Sequence, residues 1–108
     1  ACAQADILHT GVMIRDLPDD SIYSLAGIGN HQLKMNSLAI AIGAGVRVGL
    51  EDNIWFDSSR TTLASNMDLL DRIHTIAKAN DREIMSPKEF RFKMKLEPGN
   101  GKYGRKAS

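Results

Sequence analysis

The sequence predicts a parallel α/β fold, and three observations carry that reading. Apolar residues recur at helical spacing in separate segments, two short apolar runs between them read as strands, and a glycine turn leads from the first strand into a helix. Ile7, Leu8, Val12 and Ile14 mark a first helix, which should stop at Leu17 because the residue before Pro18 is pushed out of helical geometry. Ser21 to Ala26 reads as a strand apolar on both faces. After Gly27-Ile28-Gly29-Asn30, Met35, Leu38, Ala39 and Ile42 form the stripe of a second helix, ended by Gly43-Ala44-Gly45. Val46 to Glu51 alternates with period two as a second strand, so the pair implies a parallel crossover.

A polar loop, Asn53 to Leu63, contains Trp55 and Phe56, read either as a pocket or subunit seal or as a loop tacked to the fold. Ser65 or Asn66 caps a third helix with the stripe Leu69, Leu70, Ile73, Ile76 and Ala77, with Asp68 and Asp71 near its start and Lys78 near its end. Ser86-Pro87-Lys88-Glu89 combines a capping Ser, Pro at the first helical position and Glu three residues after the cap. It opens a last helix to about Lys95. The tail 97–108, with Lys102, Arg105 and Lys106, is expected to be loose and basic, leaving 1–96 as the folded segment.

Two parallel strands are too few to stand alone, since such sheets are covered on both faces. The chain therefore reads as part of a larger α/β protein, and the absence of Met at position 1 is read the same way. Its 108 residues carry 14 Lys+Arg against 13 Asp+Glu, a formal charge of +1 that supplies no broad field for a nucleic-acid backbone. No apolar run approaches the roughly 20 residues that cross a bilayer. Cys2, the single cysteine, has no internal partner, which suits a reducing, cytoplasmic setting.

The second strand carries the candidate chemistry. Its pleat places Val46, Val48 and Leu50 on one face and Arg47, Gly49 and Glu51 on the other, so the aliphatic face wants helices. In a closed parallel barrel Arg47 and Glu51 would point inward, with Glu51-Asp52-Asn53 at the strand-end mouth where active sites sit. One of Glu51 and Asp52 could bind a metal while the other handles a proton, with Arg47 stabilising an anion; the plain alternative is a structural ion pair or a capping Asp. At the matching end of the first strand, Gly27, Gly29 and Asn30 offer backbone N–H groups to a ligand anion, or simply turn the chain. His9 and His74 read as surface residues and His31 as a first-turn residue. No HxH, HxxxH or CxxC pairing joins the three histidines, so a complete zinc site is not expected from this chain.

The stretch AGIGNHQLKMNSLAIAIGAGVRVGLEDNIW resembles the C-terminal part of the beta-keto acid cleavage enzymes, most strongly in VRVGLEDN, Val46 to Asn53. AGIG (Ala26 to Gly29), HQL (His31 to Leu33), ASN (Ala64 to Asn66) and SPKEFR extend the likeness over about residues 6–96. The resemblance implies the C-terminal portion, about two β/α units plus a terminal helix, of a zinc-dependent (β/α)8 TIM barrel. Such an enzyme condenses a β-keto acid with acetyl-CoA and releases acetoacetate and a new CoA thioester. By the same likeness Glu51 is a zinc ligand, Arg47 with Asp52 promotes α-deprotonation, and the remaining zinc ligands lie outside this chain. The chain departs from the family pattern at Ala44-Gly45, where Gly-Gly-His usually precedes VRVG, and at Asn30, where many relatives carry a basic residue.

Alone, the chain is expected to be inactive and to pair with itself or with the missing part. A second reading is a non-catalytic α/β interaction module that self-associates or completes a barrel with a partner. A third, a small phosphate-binding domain, rests only on the GIGN turn.

Overall fold

The computed structural model describes residues 3–97; Cys2 and the expected tail after Glu97 lie outside the described residues. The elements are α1 (Ile7–Arg15), β1 (Ser24–Leu25), a single 3-10 turn (Gly29–His31), α2 (Gln32–Ala41), β2 (Gly45–Val46), α3 (Asn66–Ala79) and α4 (Pro87–Lys93). The result is a mixed α/β arrangement in which β1 and β2 pair in parallel, Ser24 opposite Gly45 and Leu25 opposite Val46. Two further ladder bonds, Gly45 N–H to Tyr23 O at 3.0 Å and Arg47 N–H to Leu25 O at 3.1 Å, extend the pairing.

Both strands are shorter than the alternation predicts, because each has a single neighbour among the described residues. β2 is also cut short by a turn: Asp52 N–H returns to Gly49 O at 3.3 Å, which ends the pleat before Glu51. Upstream of the turn the two-face reading holds. Val46 and Val48 pack against Ile40, Ile73 and Ala77 of α2 and α3, and Leu25 joins Met35, Ala39 and Ala44 on the same side. Leu50, third of the aliphatic set, lies in the turn, where its N–H donates to Asn66 Oδ1 at 3.0 Å.

Local signals set the helix ends. Ser86 and Glu89 form the expected capping box at α4, and Ser65 forms a second with Asp68 at α3. Asp68 Oδ2 accepts from Ser65 N–H at 2.8 Å and from its hydroxyl at 2.7 Å, contacts that hold the carboxyl below the usual Asp range. A depressed carboxyl stabilises the fold wherever it is ionised and loses that contribution as pH falls through its folded pKa. Amide protection in the first turn of α3 is therefore expected to stay constant from neutral pH down to the ordinary carboxylate range and to fall only below it. Ser65→Ala should lose about 1 kcal/mol at neutral pH. Protection that already declined near pH 6 would contradict this assignment.

Arg82, beyond α3, closes the other end of α2. Its Nη1 donates to Ile40 O at 3.0 Å in the last turn of the helix and to Ala44 O at 2.9 Å in the loop after it, placing a cation at the helix C-terminus. By contrast α1 leaves its stripe uncovered, with Ile7 78% and Leu8 72% exposed, so its apolar face is matched by nothing among the described residues.

Candidate active site

Arg47 projects from the side of β2 opposite the helices, and the turn that follows brings two carboxylates to it. Its Nη2 donates to Asp52 Oδ1 at 2.8 Å, and its Nε lies 3.9 Å from Glu51 Oε1. The two acids differ sharply in setting: the Asp52 side chain is 3% exposed and the Glu51 side chain 60%. Alternation puts Glu51 on the face of Arg47 and Gly49, and its carboxylate lies there, while the Gly49–Asp52 turn buries Asp52 and leaves its Oδ2 without a hydrogen-bond partner. Glu51 folds back so that its carboxylate fills the volume a Cβ on Gly49 would need. The missing side chain of Gly49 thus leaves room for the acid.

The GIGN turn abuts this cluster. Gly29 adopts φ +56°, a left-handed conformation that glycine reaches without strain, and its N–H donates to the Asp52 carbonyl at 2.8 Å. Asn30 Nδ2 donates to Ser58 O at 3.3 Å. Gly27 is buried where a Cβ would overlap the His31 carbonyl oxygen and lie 2.6 Å from its carbon. The turn thus fixes the Asp52 backbone and brings the ends of both strands together. His9, His31 and His74 are all exposed.

Two residues that pattern reading passed over belong to the same cluster. Gln32 and Asn36, both fully buried on α2, donate to backbone carbonyls of the β2 extension: Gln32 Nε2 to Gly49 O at 2.8 Å, Asn36 Nδ2 to Arg47 O at 2.9 Å. The available signal was a pair of amides four residues apart on the helix that carries the Met35, Leu38, Ala39, Ile42 stripe.

The aromatic loop is tacked down to α3. Trp55 bridges to Leu63, and the Arg72 guanidinium lies 4.4 Å from the Phe56 ring centroid while Nη1 donates to Phe56 O at 2.6 Å. Asp57 holds the loop tip, accepting from Thr62 N–H at 2.7 Å and from the Thr61 hydroxyl at 2.8 Å, which keeps its carboxyl below the usual range. A groove of about 640 Å³ lies elsewhere, lined by residues including Ile22, Val48, Ile73 and Phe90 and by none of Arg47, Glu51 and Asp52. It is mostly apolar, so the chemistry is assigned to the strand end.

The family model described as beta-keto acid cleavage enzyme matches residues 1–96. The chain belongs to the beta-keto acid cleavage enzyme family. It is 40% identical over 85 residues to a 3-keto-5-aminohexanoate cleavage enzyme of Fusobacterium nucleatum, covering 79% of this chain and 31% of that protein. It is 32% identical over 79 residues to a protein of the same description from Acetoanaerobium sticklandii, covering 73% and 29%. To a 3-dehydrocarnitine:acetyl-CoA trimethylamine transferase of Rhizobium meliloti it is 31% identical over 84 residues, covering 78% and 27%. The chain spans about a third or less of the length of these relatives.

Within this family segment, the Ala44-Gly45 departure has a clear structural setting. Ala44 is buried in the core, and a Cβ on Gly45 would meet Ser24 Oγ at 2.5 Å and Tyr23 O at 3.0 Å. A histidine at position 45 would need Ser24 to move. Among the described residues no three His, Cys, Asp or Glu side chains gather as a metal site. Glu51 fits the part of one ligand: it is exposed, and its salt-bridge partner Arg47 stands 3.9 Å away, so its oxygens remain available to a cation. No helix among the described residues is long and apolar enough to cross a membrane.

Proposed function

We propose that this chain forms the closing portion, two β/α units and a terminal helix, of a zinc-dependent (β/α)8 enzyme. Its reaction takes a β-keto acid and acetyl-CoA to acetoacetate and a new CoA thioester. The observation that carries this reading is the Arg47–Asp52 pair at 2.8 Å, set where a parallel strand ends and flanked by the exposed Glu51. Family membership supports the reaction class, and acetyl-CoA as co-substrate follows the name of the Rhizobium meliloti relative.

In this reading Glu51 supplies one carboxylate to zinc, with the other ligands outside the chain; bound zinc would polarise the keto-acid carbonyl as a Lewis acid. Arg47, 58% exposed, meets the substrate from the open side, placing positive charge where an enolate develops. Asp52 takes the α-proton. Its Oδ2 holds no hydrogen bond, so that oxygen is free to accept the proton while Oδ1 stays on Arg47 Nη2. Gly27, Gly29 and Asn30 line the same rim as ligand contacts, although the Gly29 N–H and the Asn30 amide are engaged in holding the rim together.

Residues 1–96 form the barrel segment, with 97–108 as a basic extension, in a cytoplasmic enzyme. The uncovered apolar face of α1, with Ile7 and Leu8 exposed, supports association with the remaining barrel or with further copies. The same face would serve a non-catalytic module, and turnover separates the two. Joined to the portion of the Fusobacterium nucleatum relative that it does not cover, this chain should give acetoacetate from β-keto acid and acetyl-CoA. The chain alone should give none. A folded, zinc-loaded assembly without turnover would favour the non-catalytic module.

A further inference from the structure

We infer that Gln32 and Asn36 are positioning residues: their side-chain amides hold the backbone from Arg47 to Gly49 in the conformation that delivers Arg47 to Asp52. This rests on the catalytic reading of that pair. The β1–β2 ladder makes its last backbone bond at Arg47 N–H. Beyond it, the carbonyls of Arg47 and Gly49 are taken by Asn36 Nδ2 at 2.9 Å and Gln32 Nε2 at 2.8 Å. Asn36 also reaches Leu25 O at 3.4 Å and so spans both strands.

The match is geometric. Residues four apart on a helix rise about 6 Å, and residues two apart on a strand advance about 6.6 Å. As the crossover between parallel strands, α2 runs opposite to β2, so the earlier amide meets the later carbonyl. Only the NH2 side of each amide can face a carbonyl oxygen, which fixes both orientations. It also leaves Gln32 Oε1 and Asn36 Oδ1 buried without partners. Such orphaned acceptors disfavour folding, and apolar side chains would fill the same volume without them. A clamp on the segment between ladder and turn gives these amides a use that packing alone would not.

The test is a double-mutant comparison in the joined enzyme described above. Gln32→Met removes both the donor and the orphaned acceptor. It should lower kcat about 10- to 100-fold, the scale of a misplaced reacting group, with KM nearly unchanged and zinc content intact. In the Asp52→Asn background the same substitution should add almost nothing, because the two act through one unit. Equal loss in both backgrounds, or a silent Gln32→Met beside a crippled Asp52→Asn, overturns the inference and leaves the catalytic reading standing. Full turnover in Asp52→Asn overturns the catalytic reading first. If Gln32→Met does not fold, as judged by circular dichroism, Gln32→Asn, which shortens the reach by one methylene, carries the same comparison.

Discussion

Asp52→Asn should lower turnover of the joined enzyme about 10²- to 10⁴-fold, the range general-base catalysis contributes, while leaving its thermal unfolding nearly unchanged. The amide keeps an oxygen for Arg47 Nη2, now 2.8 Å from Asp52 Oδ1, and keeps the shape of a side chain that is 3% exposed. What it removes is the ability to take a proton. Arg47→Ala should behave differently, losing both activity and stability. The buried carboxylate then has no countercharge, and a stranded buried acceptor costs about 1–3 kcal/mol; the half-exposed guanidinium places the expected value toward the lower end. Steady-state kinetics and urea unfolding of the two variants check this separation. Equal stability losses would make the pair structural, the plainer alternative that the sequence leaves open.

Gly27→Ala should destabilise by about 3 kcal/mol, the upper part of the range for forcing a methyl into packed space. The new Cβ would overlap the His31 carbonyl oxygen and stand 2.9 Å from Gln32 N, and those atoms are backbone, so relief requires moving the start of α2. That displacement also pulls Gln32 from Gly49 and should lower turnover. Gly11→Ala is the control: nothing lies within 4 Å of the added methyl, and helix propensity favours Ala by about 1 kcal/mol. Chemical denaturation of both variants decides, and a neutral Gly27→Ala would show that the GIGN turn is not the close approach described.

Legibility in the sequence followed the range of the forces involved. The α4 start was readable because Ser86, Pro87 and Glu89 act within one turn, and Ser65 was readable as a cap candidate for the same reason. The two-face assignment of Val46, Arg47 and Val48 held because period two needs only a strand. It could not show that a turn closed on the Gly49 carbonyl buries Asp52 while Glu51 stays exposed on the Arg47 side. Strand lengths were overstated, since a ladder needs neighbours that alternation cannot count. Gln32, Asn36 and Arg82 were missed because each acts on carbonyls distant in sequence, 11 residues away for Asn36 and 17 for Gln32. Backbone acceptors carry no residue-type signature, and only polar side chains on an otherwise apolar helix face hint at them.

The most direct probe of the strand-end chemistry is solvent deuterium entering the α-carbon of the β-keto acid in D2O, followed by proton NMR with the joined enzyme. Exchange above the uncatalysed background that disappears in Asp52→Asn is the expected result. Exchange proceeding at the same rate in Asp52→Asn as with Asp52 in place would show that the proton is taken by another group, and the role assigned to the Arg47–Asp52 pair would be wrong.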